Sequence, residues 1–80
     1  MAMTTIYCMQ PFWRAGPSKL ARGDMRQFLC ETAAVMAGEA ASRCQAGALV
    51  YSVTGNPDFD YWTAPRFVAA IGEVPPISFN

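Results

Sequence analysis

Histidine is absent from this chain, and with it go the commonest general base, the usual Ser and Cys triads and the zinc ligand sets that include His. Charge is scarce as well. Charged residues are 15% of the 80 against a usual share of about a quarter, while 52% are hydrophobic, so a single ordered domain spanning residues 1–80 is expected, with apolar surface in excess. Such an excess is commonly covered by self-association or by another protein, and a dimer or a protein partner is expected on that ground. Long apolar runs are missing too. The longest, Ala46 to Tyr51, has a glycine inside it and falls far short of the ~20 residues of a membrane-spanning helix. The leading Met-Ala-Met-Thr-Thr lacks a basic n-region, so the expectation is a cytoplasmic protein without membrane contact.

Cys8, Cys30 and Cys44 contain no C-x-x-C, and no pair has the short spacing that sets two metal ligands on one turn; neither metal nor cofactor is expected. In the cytoplasm such thiols stay reduced and serve as small buried hydrophobes. Their odd number leaves open a disulfide across a dimer interface, with Cys30, beside a helix start, the first choice. As a nucleophile Cys30 has no His to pair with. Asn56, Asp58 and Asp60 echo the opening of a calcium loop, but Tyr61 stands where that loop turns on Gly and Phe67 where its bidentate Glu belongs. Asp58 and Asp60 as a glycosidase pair are better read as solvated loop charges. The glycines are isolated and make no phosphate loop. An enzyme is not expected.

The formal net charge of zero conceals a segregation. Up to Cys30, Arg14, Lys19, Arg22 and Arg26 outweigh Asp24 to give +3; from Glu31 on, Arg43 and Arg66 face five acids to give −3. Without an overall basic excess, nucleic acid is not expected as the main ligand. If it were one, Arg14, Lys19, Arg22 and Arg26 would follow the backbone while aromatic rings stacked on bases, which needs both sets on one side of the molecule. An acidic half facing a basic protein fits at least as well.

Alternation over Thr4 to Trp13, with Ile6, Cys8 and Phe12 on one side and Tyr7, Met9 and Trp13 on the other, predicts a strand. Pro11 places it at a sheet edge or ends its pairing there. Turn chemistry follows at residues 14–18 and 22–24. Met25 to Leu29 then reads either as a second strand or as the first turns of a helix. Ala33, Met36, Ala37, Ala40, Ala41 and Cys44 form one stripe at the helical period. Met36 is expected to anchor that stripe, Gly38 to face solvent and Gly47 to supply a left-handed cap. Glu31 and Arg43 suit the dipole at either end.

Ala48 to Thr54 reads as a strand whose Leu49, Tyr51 and Val53 meet the helix, with Arg66 to Val74 as its hairpin partner. Pro75-Pro76 halts the sheet before a short tail, Ile77 to Asn80. The expected fold is α+β: a small antiparallel sheet in ββαββ order, about four strands, with one helix on one face. Tyr7, Met9, Trp13, Val50 and Val68 would then form an exposed apolar face open to a second copy or a partner. The hairpin's tip, Gly55 to Pro65, is about ten residues long where two to five is usual. It holds Asp58, Phe59, Asp60, Tyr61 and Trp62. Two readings stand open: the rings fold back as a lid on a small core, or they anchor a protein partner while Asp58, Asp60 and Glu73 steer toward its basic groups.

Residues 46–52, Gly55-Asn56-Pro57-Asp58, and Ala69, Ile71 and Gly72-Glu73-Val74-Pro75 resemble segments of small uncharacterised alphaproteobacterial proteins. In those, a helix precedes an Ala-Gly-Val-type strand, a Gly-Asp-Pro turn and a terminal Gly-Glu-Val-Pro. That likeness spans about residues 31 to 76 and implies strands, not an activity; it departs where Phe59, Tyr61 and Trp62 replace more polar residues and where the helix carries less charge. By type alone, the chain also resembles phage and prophage anti-CRISPR proteins. That resemblance implies an inhibitor in the host cytoplasm, bound to a Cas subunit of a type I surveillance complex so as to block target DNA. A small housekeeping or regulatory interaction module is the alternative, and a nucleic-acid binder the third.

Overall fold

One unbroken strand of 13 residues, β1 (Thr4–Gly16), runs through the middle of the sheet. The computed structural model describes residues 3–76, so the tail expected at residues 77–80 lies outside the described residues. On one side β1 pairs with β4 (Gly47–Asn56), from Thr4 opposite Gly55 to Phe12 opposite Gly47. Its other side is shared by two short strands, β2 (Lys19–Arg22) along the second half and β3 (Arg26–Phe28) along the first. The outer edge of β4 is shared in the same way, by β5 (Tyr61–Trp62) and β6 (Arg66–Gly72). Every pair is antiparallel, and α1 (Glu31–Cys44) packs on the sheet, so the molecule is α+β as its sequence implies. Six strands form instead of about four. Residues 25–29 contribute β3, and β2 arises in a stretch too short and polar to show an alternation of its own; both are templated by β1.

Pro11 sits in this central strand, not at an edge. Its carbonyl oxygen, pointing toward the β2–β3 side, accepts the Gly23 N–H at 2.9 Å. Its missing N–H therefore falls opposite the break between β2 and β3, where no ladder bond is lost.

The helix presents a different stripe from the one expected. Ala34 is fully buried, Gly38 is buried, and Val35, Ala37 and Ala41 pack against the core, while Met36 is 62% exposed. Gly38 lies over β4 and β6: a Cβ there would come 3.0 Å from Ile71 Cδ1 and 3.3 Å from Val50 Cγ2. Close approach of the helix axis thus selects the smallest residue, and the apolar count alone passed over it. Nor does Gly47 cap the helix. Gln45 ends it in an extended conformation, its N–H bonding Ala41 O at 2.8 Å, and Gly47 opens β4 where a Cβ would overlap the backbone of Glu73.

The sheet is also turned over relative to expectation. Register places Tyr7, Met9, Ala48, Val50 and Ser52 on one face, and that face meets α1, around a core of Met9, Ala34, Ala48 and Val50. Leu49, Tyr51 and Val53 are on the other. Met9 and Val50 are accordingly buried, Tyr7 and Val68 are half-buried, and Trp13 alone of the five stays exposed. Both faces alternate apolar residues, so a period of two says which residues share a face but not which face the helix takes. On the far face Cys8, Phe12 and Leu49 are buried as well. There Gln10 Nε2 donates to Gly23 O at 2.7 Å and the Tyr51 hydroxyl to Met25 Sδ at 3.0 Å, drawing the β2–β3 connection toward the curled sheet. Among the described residues no helix is long and apolar enough to cross a membrane.

Candidate functional site

The turn between β4 and β5, together with β5 itself, carries the five residues singled out as a partner surface, and two residues just before it set its shape. Gly55 and Asn56 end β4 and are both buried. A Cβ on Gly55 would overlap the Tyr61 carbonyl oxygen and come 2.8 Å from Trp62 Cα, so only glycine lets Tyr61 and Trp62 return as β5. The Asn56 side chain accepts the Asp58 N–H at 3.0 Å, capping a single 3-10 turn over Pro57–Phe59. Pro57 at the first position has no N–H to leave unpaired.

Asp60 closes the turn at φ 50°, in the left-handed region that Asp tolerates better than most side chains, and its N–H bonds Pro57 O at 3.3 Å. Beyond β5 the Thr63 N–H donates to Thr54 O at 2.8 Å, and Thr63 Oγ1 accepts the Thr54 N–H at 3.2 Å. The loose ten-residue tip of the sequence reading is therefore a short turn, residues 57–60, on a hairpin extended by β5.

This arrangement divides the two readings of the aromatic rings. Trp62 is half-buried with its indole over Gly55, whereas Phe59 and Tyr61 are 70% and 58% exposed. Asp58 and Asp60 beside them are exposed too. The turn thus offers two free rings and two carboxylates on a pinned backbone, with one ring used to hold it.

The basic residues are elsewhere. Thr4 lies opposite Gly55 at one end of β1, and Gly16 opposite Lys19 at the other. At about 3.3 Å per strand residue these ends are some 40 Å apart, within a molecule 47 Å long. Lys19 and Arg22 thus lie toward the far end from the aromatic turn, and Arg26 partway along on the helix face, where its guanidinium stands 5.1 Å over the Phe28 ring. Arg14 is committed: it pairs with Glu73 and donates to Pro17 O at 3.0 Å. Glu73, expected to share in steering with Asp58 and Asp60, is held by that pair at the wrong end.

Cys30 and Cys44 are exposed free thiols at the two ends of α1, and Cys8 is buried. Cys30 occupies the N-cap position, and the backbone N–H groups of Ala33 and then Thr32 hold its pKa below the ordinary thiol value. Burial pushes the Cys8 thiol up, and burial together with neighbouring Cys8 raises Tyr51. Among the described residues no three Cys, Asp or Glu side chains come together as metal ligands.

Sequence reasoning missed a second feature, a polar trough at the N-terminal end of α1. Its residues come from four separate segments, and the polar ones are ordinary Thr, Ser, Tyr, Glu and Arg, beside Phe67 and Val68. The one available signal was the run of polar positions Thr5, Ser52 and Thr54 on what register makes a single face.

Fold and turn together define a small antiparallel α+β protein that presents an acidic and aromatic hairpin end. Compared with protein-family models, curated proteins and solved structures, the chain gives no match.

Proposed function

We propose that this chain is a non-catalytic protein-binding inhibitor that docks the 57–62 turn into a basic groove of its partner. The observation that carries this reading is the exposure of Phe59 and Tyr61 on a backbone already held by Gly55 and Asn56. Rigid aromatic anchors bring contact area at little cost in conformational entropy, so a preformed turn favours binding. Asp58 and Asp60 add attraction for Lys and Arg, which speeds encounter and rejects acidic surfaces. A groove built to hold DNA has that basic, open form. The DNA-binding surface of a type I CRISPR surveillance complex is the partner proposed, with inhibition by occupancy.

The deciding experiment measures target DNA binding by a purified type I complex with increasing amounts of this protein. Inhibition is expected, weakened at least about ten-fold by Phe59→Ala or Tyr61→Ala. The pair Asp58→Asn and Asp60→Asn should slow association and flatten its salt dependence. Undiminished inhibition by all these variants would falsify the role of the turn, and absence of inhibition would remove the proposed partner.

A further inference from the structure

Where β1, β4 and β6 pass the N-terminal end of α1, the sheet is left with a trough of about 340 Å³, at the lower end of the roughly 300–1,000 Å³ of small-molecule sites. Six polar side chains line it: Thr5, Tyr7, Glu31, Ser52, Thr54 and Arg66.

Ser52 is the informative one. It is only 8% exposed, faces the helix side two residues beyond the fully buried Val50, and its hydroxyl has no hydrogen-bond partner among the described residues. A hydroxyl sealed from water without a partner would be costly. Since no fully enclosed side-chain oxygen or nitrogen among the described residues lacks a partner, the Ser52 hydroxyl opens on the trough. Thr5 and Thr54 bond each other across the strands at 2.9 Å, which spends one of their two donors and leaves the other for a ligand.

Charge then narrows the ligand. Arg66 and Glu31 line the same trough, yet they are not paired with each other; the ion pair among the described residues joins Arg14 to Glu73. A phosphate or other simple anion would meet the Glu31 carboxylate, and a simple cation would meet Arg66. A molecule with both charges satisfies both groups at once.

We propose that the trough binds a small zwitterion of the amino-acid type. Its carboxylate takes the Arg66 guanidinium and the Ser52 hydroxyl, and its ammonium takes Glu31. The site is separate from the 57–62 turn and stands whether or not that turn binds a partner.

Amide chemical-shift mapping on the intact chain, with each proteinogenic amino acid at millimolar concentration, tests this. Expected are saturable shifts centred on residues 5, 52, 54 and 66 with at least one of them. The N-acetyl derivative of that amino acid and its carboxamide should each bind at least about ten-fold more weakly. These comparisons use the unaltered chain, so they do not depend on any variant folding. Glu31→Gln should then abolish the preference over the N-acetyl compound, and Arg66→Met the preference over the carboxamide. No saturable shift at the trough, or equal binding of the N-acetyl compound or of inorganic phosphate, overturns the proposal.

Discussion

Gly38 shows how much rests on a single position. A side chain there would enter a gap bounded by Ile71, Val50 and Ala48, so Gly38→Leu should destabilise by about 1–3 kcal/mol through overpacking. Met36→Ala, on the exposed side, should stay within about 0.5 kcal/mol. Urea unfolding of both variants checks this, and the reverse order would restore the stripe through Met36. Cys30 allows a separate test. Because backbone N–H groups favour its thiolate, a larger fraction is ionised at any given pH than for an ordinary cysteine. Alkylation of Cys30 followed across pH should therefore show a midpoint below that of the same thiol in the unfolded chain. Coincident midpoints would mean that the helix start does not act on the sulfur.

The β4–β5 hairpin is the element whose construction differs most from its reading in sequence. Turn residues at Gly55-Asn56-Pro57 were visible, but they looked like the beginning of a loop because nothing local shows that Tyr61 and Trp62 come back to pair with Asn56 and Gly55. Removing the cap with Asn56→Ala should cost about 0.5–2 kcal/mol. It should also raise amide exchange at Asp58 while leaving β1 protected. Gly55→Ala should be worse, since the return strand itself must move. Exchange at Tyr61 and Trp62 equal to that of the unaltered protein in this variant would show that the close approach does not hold β5 in place. On the helix, by contrast, existence, length and dipole complement were legible from the period and from Glu31 and Arg43; its facing was not. A run of Ala and Gly carries too little contrast to orient a helix about its axis.

The long sheet separates the carboxylates of the turn from Lys19 and Arg22. Asp58 and Asp60 stand at one end, and Lys19 and Arg22 toward the other, so a single strand of nucleic acid stacked on the turn would have to cross the length of β1 to reach them. Lys19→Ala with Arg22→Ala should therefore leave inhibition of the proposed partner unchanged, because sites this far apart act independently. A loss as large as that from Tyr61→Ala would instead join both ends in one contact surface. The Arg14–Glu73 pair at the far end is exposed and contributes at most about 1 kcal/mol. It serves mainly to tie β1 to the chain leaving β6.

Much of this molecule follows from order and period along the chain. Alternation in Thr4 to Trp13 and Ala48 to Thr54, the helical repeat after Glu31, and turn residues at Gly55-Asn56-Pro57 are local properties, and they sufficed for the α+β class, the helix and the presence of a turn after β4. Tertiary structure decided the rest: the face that α1 covers, the burial of Gly38, the inward Trp62 and outward Phe59 and Tyr61, and the trough around Ser52. Each of these depends on side chains from distant segments competing for the same space. Patterns along one segment carry no information about how that competition ends.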